Sequence, residues 1–334
     1  MAEALVAIEP LDPAIRVAAE AELDAKTKPR GSLGRIERLA AQVAQIRASV
    51  RPGPLQAAIV VAAADHGVAA ERVSAYPPEV TAQMVANFSS GGAAVSVLAR
   101  QAGAKLVVVD AGVGAGTANF TEGPAMSEER ALEKVTEGIE LACELADEGV
   151  GVVALGEMGI GNTTAASALS AALLGVGPEL TVGSGTGLDA EGVARKVDVV
   201  RRALSANQSR LGEPLATLAA VGGFEIALLS GLALGAAANR MAILVDGFIS
   251  AAAVLVAQRL RPEIADYLIA AHLSPEPGHR LLLDELGLEP LLDLDLRLGE
   301  GSGAALALPL VHSAVAILEE MATFEAAGVS DAGR

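Results

Sequence analysis

One glutamate of the sequence stands in a setting that suits proton transfer. Glu300 lies between two glycines in the segment RLGEGSGAALALPLV (297–311), with the apolar residues Leu298 and Leu306 close by in sequence. Such neighbours offer no surface ion pair, and loss of water raises the pKa of a carboxylate towards the range of a general base. The pattern therefore predicts a base at Glu300, although an acid before a helix that begins near Ser302 is also typical of helix capping.

Two glycine-rich segments predict contacts to an anionic group. In GEMGIGNTTAASAL (156–169) the glycines precede Asn162, where a helix is expected to begin. The N–H groups at a helix N-terminus bind anions, and they also bind capping side chains. In GSGTGLDAEGVARKVDVVRRAL (183–204) the glycines precede a helix that carries Lys196, one of five lysines. Lys196 is therefore a candidate phosphate ligand, and the alternative is a solvated helix face shared with nearby arginines.

The histidines and the cysteine indicate neither a metal site nor thiol chemistry. None of the four histidines is spaced from another histidine, a cysteine or a carboxylate as metal ligands are. His66 follows an apolar run and is expected near a ligand, whereas His272, His279 and His312 are expected to be structural. Cys143, the single cysteine, excludes an internal disulfide and is expected to be a small packed residue of a helix.

Short apolar runs alternate with helical patterns along most of the chain. The runs are rich in Ala, Val and Ile without polar alternation, which is typical of strands buried on both faces of a parallel sheet. They lie at 57–65, 105–113, 151–159, 215–223, 241–247 and 267–274. Helical patterns lie at 79–100, 128–147, 163–174, 189–210, 225–238 and 248–260. The alternation predicts an α/β fold with a doubly wound, Rossmann-like and mostly parallel sheet.

Polar residues and glycines follow five of these runs. The positions are 65–67, 110–112, 156–159, 246–247 and 274. In a doubly wound sheet the carboxyl ends of the strands share one edge, and ligands bind there. Each position alone fits an ordinary turn, but the five together predict a site at that edge.

The two ends of the chain differ from its middle. Residues 1–50 and 303–328 carry helical patterns without a convincing strand. We therefore expect a small helical domain formed by 1–50 together with 303–334, packed against an α/β substrate-binding domain at 51–302.

The composition is acidic and nearly free of aromatic residues. The 334 residues carry 24 basic and 41 acidic side chains, a formal net charge of −17. An acidic chain repels phosphate backbones and anionic lipids, so we expect neither nucleic acid nor a membrane as a partner. Aromatic residues make up 2%, so small aliphatic residues are expected to form the core. The N-terminal segment lacks the pattern of a signal peptide, and the apolar stretch 241–257 contains Asp246, so we expect a cytoplasmic protein.

Eight segments together resemble a known enzyme family. In chain order they are KPRGSLGRIERLA (28–40), ADHGV (64–68), SAYPPEVTAQMVANF (74–88), GEMGIGNTTAASAL (156–169), VGGFEIALLSG (221–231), DGFISAAA (246–253), AHLSPEPGH (271–279) and RLGEGSGAALALPL (297–310). They are similar to segments of the nicotinate-nucleotide:dimethylbenzimidazole phosphoribosyltransferases. The similarity runs from about residue 26 to 324, and the combination of GEMGIGNTT with RLGEGSGA is specific.

The resemblance implies a reaction and a set of residues that perform it. Phosphoribose would pass from nicotinate mononucleotide to 5,6-dimethylbenzimidazole, giving α-ribazole 5′-phosphate and nicotinate with inversion at C1′, in a homodimer that needs no cofactor or metal. Glu300 is then the general base, and Glu157 lies at the reaction centre. The implied substrate-binding residues are Lys196 and Ser274 at the phosphate, Gly159, Gly185, Asp246 and Gly247 near the nucleotide, and Ser74 and Gln83 at the base.

Two other functions fit parts of the sequence. VVVDAGVGAGT (107–117) is superficially similar to the acidic loop of pyrophosphate-dependent phosphoribosyltransferases, but it lacks the paired acids expected beside Mg²⁺. A non-catalytic nucleotide-binding protein of the same fold would keep the glycine segments and would not need Glu300. The glutamate embedded among glycines therefore favours an enzyme.

Overall fold

A five-stranded parallel sheet organises the chain, and the computed structural model describes residues 7–330. The strands are β1 (Gln56–His66), β2 (Lys105–Thr117), β3 (Val150–Met158), β4 (Ala242–Val245) and β5 (Leu268–Ala270). Their order across the sheet is β2-β1-β3-β4-β5, and every neighbouring pair is parallel. The chain thus winds outwards from the middle of the sheet in both directions, and the predicted doubly wound arrangement is confirmed.

The strands of the sheet interior have no polar alternation because both of their faces are covered. β3 is buried from Val150 to Glu157, and β4 is buried along its whole length. The edge strand β2 differs, since Leu106 to Val109 are only partly buried. Five of the six apolar runs in the sequence correspond to these strands.

Helices connect the strands and extend beyond both ends of the sheet. They are α1 (Pro13–Ala25), α2 (Arg35–Ile46), α3 (Val80–Ser90), α4 (Ala94–Ala102), α5 (Glu128–Asp147), α6 (Asn162–Leu174), α7 (Ala190–Ala206), α8 (Pro214–Val221), α9 (Phe224–Ala238), α10 (Phe248–Leu260), α11 (Pro277–Leu286), α12 (Ser302–Glu320) and α13 (Phe324–Ala327). Short 3₁₀ turns lie at Gly67–Glu71, Pro178–Leu180, Gln208–Arg210 and Pro262–Tyr267. The pattern predicted as one helix at 79–100 is two helices, α3 and α4, separated at Gly91.

The sixth apolar run, at 215–223, was predicted as a strand, and this prediction is wrong. Most of it belongs to α8, which begins at Pro214. A proline at the first position of a helix loses no hydrogen bond, and its fixed φ angle suits the helix. Thr217 to Val221 are all buried, and a short, fully buried apolar run fits a helix as well as a strand.

Two glycines let α5 and α9 approach more closely than larger residues would allow. A Cβ atom added to Gly138 would clash with the backbone of Leu228, and one added to Gly231 would clash with the backbone of Val135. The contact is therefore backbone against backbone, and it fits the predicted core of small aliphatic residues.

The helices near the two ends of the chain pack together. α1 and α2 both contact α12, and the Thr27 N–H group donates a hydrogen bond of 3.0 Å to the Ala322 carbonyl. α12 also packs on β3 and β4, so it touches the sheet as well as the N-terminal helices. These contacts join the segments expected to form a small helical domain, whose boundaries stay a prediction; residues 1–6 and 331–334 lie outside the described part of the chain.

Three further features bear on the sequence predictions. The stretch 241–257 is β4, a loop and the start of α10, as predicted. Within residues 7–330, α12 alone has the length and composition of a membrane span, and more than half of the apolar window is buried inside the protein. Cys143 is exposed on α5, so the expectation of a packed cysteine is wrong; its neighbour Ala142 occupies the buried face of the helix instead.

Candidate active site

A cleft of about 680 Å³, partly open to solvent, lies beyond the carboxyl ends of β3, β4 and β5. Its lining residues are Glu157, Met158, Gly159, Ile160, Asn162, Thr163, Gly185, Thr186, Gly247, Phe248, Ile249, His272, Ser274, Glu276, Leu296, Arg297, Leu298, Gly299 and Glu300. The cleft brings together six residues that the sequence predicted, namely Glu157, Gly159, Gly185, Gly247, Ser274 and Glu300. Segments that are far apart in sequence therefore meet at one edge of the sheet.

Glu300 lies in a left-handed turn immediately before α12. Its φ angle is +63°, and those of Gly299 and Gly301 are +83° and +82°. Burial, and then the negative charge of Asp246, raise the pKa of Glu300 to about 7. Gly301 occupies the N-cap position and the helix start has no side-chain cap, so the helix-capping interpretation of Glu300 is wrong.

Glu157 ends β3 and faces the cleft from the side of the sheet. Its pKa is raised to about 8, first by burial and then by the charges of Asp246, Glu225 and Glu300. The Asn162 side-chain amide donates a hydrogen bond to the Glu157 carboxylate, which acts in the opposite direction. At neutral pH Glu157 is therefore mostly protonated, whereas Glu300 is close to half ionised.

The loops that carry these two glutamates interlock. A Cβ atom on Gly156 would lie 2.7 Å from the Glu300 carbonyl oxygen, and one on Gly299 would clash with the Glu157 carboxylate. The glycines before the two glutamates thus let one backbone pass against the other, and this contact fixes the two carboxyl groups relative to each other.

Cationic and N–H groups meet beside the cleft, where the buried Lys196 lies behind the lining residues Thr163 and Gly185. The Lys196 ammonium group is fully buried and donates a hydrogen bond of 2.7 Å to Thr163 Oγ1, at the start of α6. Burial lowers the pKa of Lys196 to about 8, and the charge of Glu276 acts in the opposite direction. The interpretation of Lys196 as a solvated surface residue is therefore wrong. A buried ammonium group beside a helix N-terminus can bind an anion.

Gly185 brings its backbone close to the same groups. Its N–H group donates a hydrogen bond of 2.8 Å to Glu276 Oε1, and a Cβ atom here would lie 3.3 Å from Lys196 Nζ. Ser274 also lines the cleft, and its N–H group donates to His279 Nδ1 at 2.9 Å. Burial lowers the pKa of His279 to about 3, so this histidine is neutral and acts as a structural acceptor, as expected.

Four residues predicted to bind substrate do not line the cleft, namely Lys196, described above, and Asp246, Ser74 and Gln83. Asp246 is buried behind the cleft and does not line it. Ser74 lies outside the lining, but its hydroxyl is 3.2 Å from the hydroxyl of Thr186, which does line the cleft. Gln83 is exposed on α3 and does not line the cleft, so its contact with a base stays a prediction.

Two functional candidates were missed in the sequence. His272 was expected to be structural, yet it lines the cleft directly after β5. Its position at a strand end was the available signal, and it is the same signal that pointed to Ser274. Glu276 also lines the cleft, two residues further on, and nothing in its sequence spacing distinguishes it from a helix-capping acid.

The carboxyl ends of β1 and β2 contribute less than the sequence suggested. His66 Nε2 is 2.9 Å from Glu225 Oε1 in a fully buried pair that does not line the cleft. The Asp110 carboxylate accepts hydrogen bonds from the N–H groups of Gly112 and Val113, at 3.0 and 2.7 Å, and so closes its own turn. These side chains are engaged in the fold instead of facing the cleft.

Comparison with known proteins gives the family. A family model described as Phosphoribosyltransferase (DBI_PRT) matches residues 8–329. The chain belongs to this phosphoribosyltransferase family. It is therefore an enzyme, a pentosyltransferase, and the enzyme interpretation of the sequence is confirmed.

Relatives of this phosphoribosyltransferase match it along nearly its whole length. The nicotinate-nucleotide–dimethylbenzimidazole phosphoribosyltransferase of Cupriavidus necator is 52% identical over 340 residues, covering 97% of this chain and 98% of the relative. The enzyme of the same name from Geotalea uraniireducens is 48% identical over 344 residues, covering 98% of each. The crystal structure of CobT from Thermus thermophilus has a TM-score of 0.90 at 47% identity, covering 95% of this chain and 99% of that one. The family resemblance noted in the sequence is thus confirmed.

Proposed function

We propose that this phosphoribosyltransferase moves phosphoribose from nicotinate mononucleotide to 5,6-dimethylbenzimidazole, releasing nicotinate and α-ribazole 5′-phosphate. The names of its relatives give the two substrates. The observation that carries the chemistry is Glu300, a buried carboxylate with a raised pKa that faces the cleft. A base of this kind matches an acceptor that must lose one ring proton.

Glu300 acts as the general base of the reaction. One ring nitrogen of the benzimidazole attacks C1′ of the ribose, and the proton on the other ring nitrogen passes to the Glu300 carboxylate. The bond from C1′ to the nicotinate nitrogen breaks at the same carbon, and its electron pair neutralises the pyridinium ring. Attack from the face opposite to the leaving group inverts C1′ from β to α.

Glu157 supports this step in its protonated form. With a pKa of about 8 it carries little charge at neutral pH, so it does not compete with Glu300 for the ring proton. Its O–H group is then available as a hydrogen-bond donor to the nucleotide. Two carboxyl groups with different protonation states thus serve different purposes, because their surroundings set their pKa values apart.

The phosphate of the nucleotide binds at the other set of groups. Lys196 supplies a positive charge, and Thr163 and the N-terminus of α6 supply hydrogen-bond donors. Ser274 and the N–H group of Gly185 lie beside the same part of the cleft. If the phosphate binds here, C1′ of the ribose lies between the residues that bind the phosphate and the two glutamates. The transfer requires this arrangement.

Apolar side chains provide surfaces for the two aromatic rings. Ile160, Phe248, Ile249, Leu296 and Leu298 line the cleft. Burial of flat, apolar rings against such side chains is favourable by roughly 25 cal/mol per Å² of apolar surface removed from water. We place Ser74 and Gln83 at the edge of the acceptor site, as the resemblance implies.

Assembly and location follow the same proposal. We infer a cytoplasmic homodimer, supported by the family resemblance and by large apolar side chains at the surface. Tyr76, Leu180 and Leu294 are each more than half exposed. The apolar helix α9 is not available for subunit contact, because Phe224 to Ala237 are buried within one chain.

Glu300→Gln tests the assigned base. Glutamine keeps the shape and can still accept a hydrogen bond from the ring N–H, but it takes up no proton, so single-turnover rates should fall roughly 10²–10⁴-fold. Binding of both substrates, measured by calorimetry, should be nearly preserved. The loss should be smaller for an N-alkylated benzimidazole, which has no ring proton to remove.

Glu140→Gln is a matched control, because Glu140 is exposed on α5 away from the cleft. This variant should turn over at the rate of the parent enzyme. A Glu300→Gln enzyme with a normal single-turnover rate would remove Glu300 from the mechanism.

A further inference from the structure

Asp246 holds the loop of Glu300 from a different element of the fold. It follows β4, is buried, and lies behind the cleft. Its Oδ2 atom accepts a hydrogen bond of 3.1 Å from the Gly301 N–H group, and its Oδ1 atom accepts one of 2.8 Å from the Ala304 N–H group. Gly301 follows Glu300 directly, and Ala304 lies in the first turn of α12.

The loop needs such support because its backbone is strained. Glu300 has φ +63° between two glycines with positive φ angles, and residues with side chains rarely adopt this conformation. The N-cap of α12 is Gly301, which has no side chain to accept hydrogen bonds from the first N–H groups of the helix. Asp246 supplies the missing acceptors from the sheet side, so the turn and the helix start are fixed together.

Asp246 also places a negative charge next to the site. The groups that face it are Glu300 on the loop, Glu157 at the end of β3, and His272 after β5, whose Nε2 atom lies 3.8 Å from Asp246 Oδ1. The charge of Asp246 acts on both glutamates in the same direction, towards binding a proton. Burial raises the pKa of Asp246 itself, and the N–H groups at the start of α12 act in the opposite direction by stabilising its charge.

Two other charged groups of the region are Glu225 and Arg297. Glu225 faces Glu157 from the start of α9 and is paired with His66 from the end of β1. Arg297 is exposed on the loop of Glu300. Among the described residues that surround Glu300, Asp246 therefore combines contact with its loop and a charge that acts on its carboxyl group.

We propose that Asp246 is a positioning residue for Glu300, which holds the turn that presents the proposed base and places a carboxylate directly behind that turn. The inference rests on the proposed function, in which Glu300 is the base. It departs from the sequence prediction, in which Asp246 binds substrate, since Asp246 acts through the loop and not by contact with a ligand.

The test is the pH dependence of turnover in Asp246→Asn. Asparagine keeps the size and one acceptor oxygen but removes the charge, so the pKa of Glu300 should fall. The acid limb of the kcat profile, in which activity rises as Glu300 ionises, should move to lower pH by about one unit, a tenfold change in proton affinity. At high pH, where Glu300 is ionised in both enzymes, kcat should still be about tenfold lower because one N–H group has lost its acceptor, while KM for both substrates should change little.

Two further variants separate charge from shape. Asp246→Glu keeps the charge on a longer side chain, so the acid limb should stay in place while kcat falls. Asp12→Asn is the matched control: Asp12 also accepts a hydrogen bond from an N–H group at a helix start, of 2.9 Å from Ala14, but at α1 and not at the cleft. It should leave both the limb and kcat unchanged.

The outcomes distinguish this inference from the proposed function. Two results would overturn the role of the charge. In one, the acid limb of Asp246→Asn stays where it is in the parent enzyme; in the other, the acid limb of Asp246→Glu moves as far as that of Asp246→Asn. If Asp246→Asn does not fold, an Asp246→Glu enzyme with unchanged kcat overturns the positioning role. Titration of the Glu300 carboxyl group by difference infrared spectroscopy, with Glu300→Gln to identify its band, tests the effect of Asp246 in ligand-free protein even if the two proposed substrates do not react.

Discussion

At the scale of single residues, Glu157 and Glu300 share surroundings that raise the pKa of both. Burial is the largest cause for each, the charge of Asp246 acts on both, and the charge of Glu300 acts on Glu157, so the pKa values are about 8 for Glu157 and about 7 for Glu300. Near neutral pH the two carboxyl groups therefore hold between one and two protons. In the proposed mechanism, one carboxyl group of the pair can then act as a base while the other donates a hydrogen bond.

Lys196→Met should weaken the binding of nicotinate mononucleotide and leave the binding of dimethylbenzimidazole unchanged. Methionine fills the buried space but removes the charge, and a hydrogen bond to a charged group contributes roughly 1.5–3 kcal/mol, so Kd for the nucleotide should rise about tenfold to a hundredfold. Because the pKa of Lys196 in the free enzyme is about 8, nucleotide affinity of the parent enzyme should also decline above that pH. Isothermal titration calorimetry measures both effects.

The control for this prediction is Lys134→Met. Lys134 is also buried, on α5, but it is paired with Glu137, which does not line the cleft, whereas Lys196 is bonded to the lining residue Thr163. Nucleotide affinity should be that of the parent enzyme. Equal affinity in the two methionine variants would mean that Lys196 does not bind the phosphate.

The residues of the site differ in how well the sequence predicted them. Glu300 and Lys196 were found because a charged residue among glycines, or a rare lysine after them, has few purely structural explanations. His272 was missed because a histidine after an apolar run is most often structural, and only the meeting of three strand ends shows what it faces. The role of Asp246 required two hydrogen bonds to residues 55 and 58 positions away, and no spacing in the sequence encodes them.

At the scale of elements, the pairing of α5 with α9 follows from two glycines. Runs of valine, isoleucine and alanine predicted the strands well because burial on both faces leaves no other composition. The same reasoning failed for α8, since a buried helix of eight residues has the same composition as a buried strand. Local composition thus predicts burial reliably, whereas the choice between helix and strand in a short run depends on its neighbours.

Gly138→Ala should destabilise the protein strongly. The added methyl group would meet the backbone of Leu228 on α9, which cannot rotate away as a side chain could, so the helices must separate. Overpacking of this kind usually lowers the free energy of unfolding by about 1–3 kcal/mol, and chemical denaturation followed by circular dichroism measures it.

The matched glycine for this experiment is Gly123, in a loop before α5. A Cβ atom there would meet nothing within 4 Å, and its backbone does not have a positive φ angle. Gly123→Ala should be neutral or slightly stabilising. A Gly138→Ala variant as stable as this one would show that α5 and α9 can move apart freely.

At the scale of the whole molecule, the alternation of apolar runs and helical patterns was enough to predict the doubly wound sheet. The cleft could not be predicted to the same extent, because it combines three strand ends with the segment before α12. The relative placement of these four segments depends on long-range packing, and the sequence of one segment does not indicate which other segment it will contact. The acidic composition and the exposed apolar side chains are the features of the molecule that bear on its assembly.

The chain should be a dimer at micromolar concentration. The net charge of −17 opposes association, so the interface must gain its stability mainly from apolar contact. Sedimentation equilibrium should therefore give twice the chain mass of 33.5 kDa, and added salt should preserve or strengthen the dimer by screening the repulsion. A single species at the chain mass, in both low and high salt, would contradict the homodimer.

The left-handed turn at Glu300 has a consequence for how members of such a family diverge. Glycine would satisfy the backbone at this position better than glutamate, and a buried acid with a raised pKa further lowers the stability of the native state above the ordinary pKa of a carboxyl group. If Glu300 is the base proposed above, selection for catalysis and selection for stability oppose each other at this residue. In a lineage that no longer used the reaction, we expect this glutamate to be among the first residues lost while the fold persisted, so its presence marks descendants in which the chemistry is still under selection.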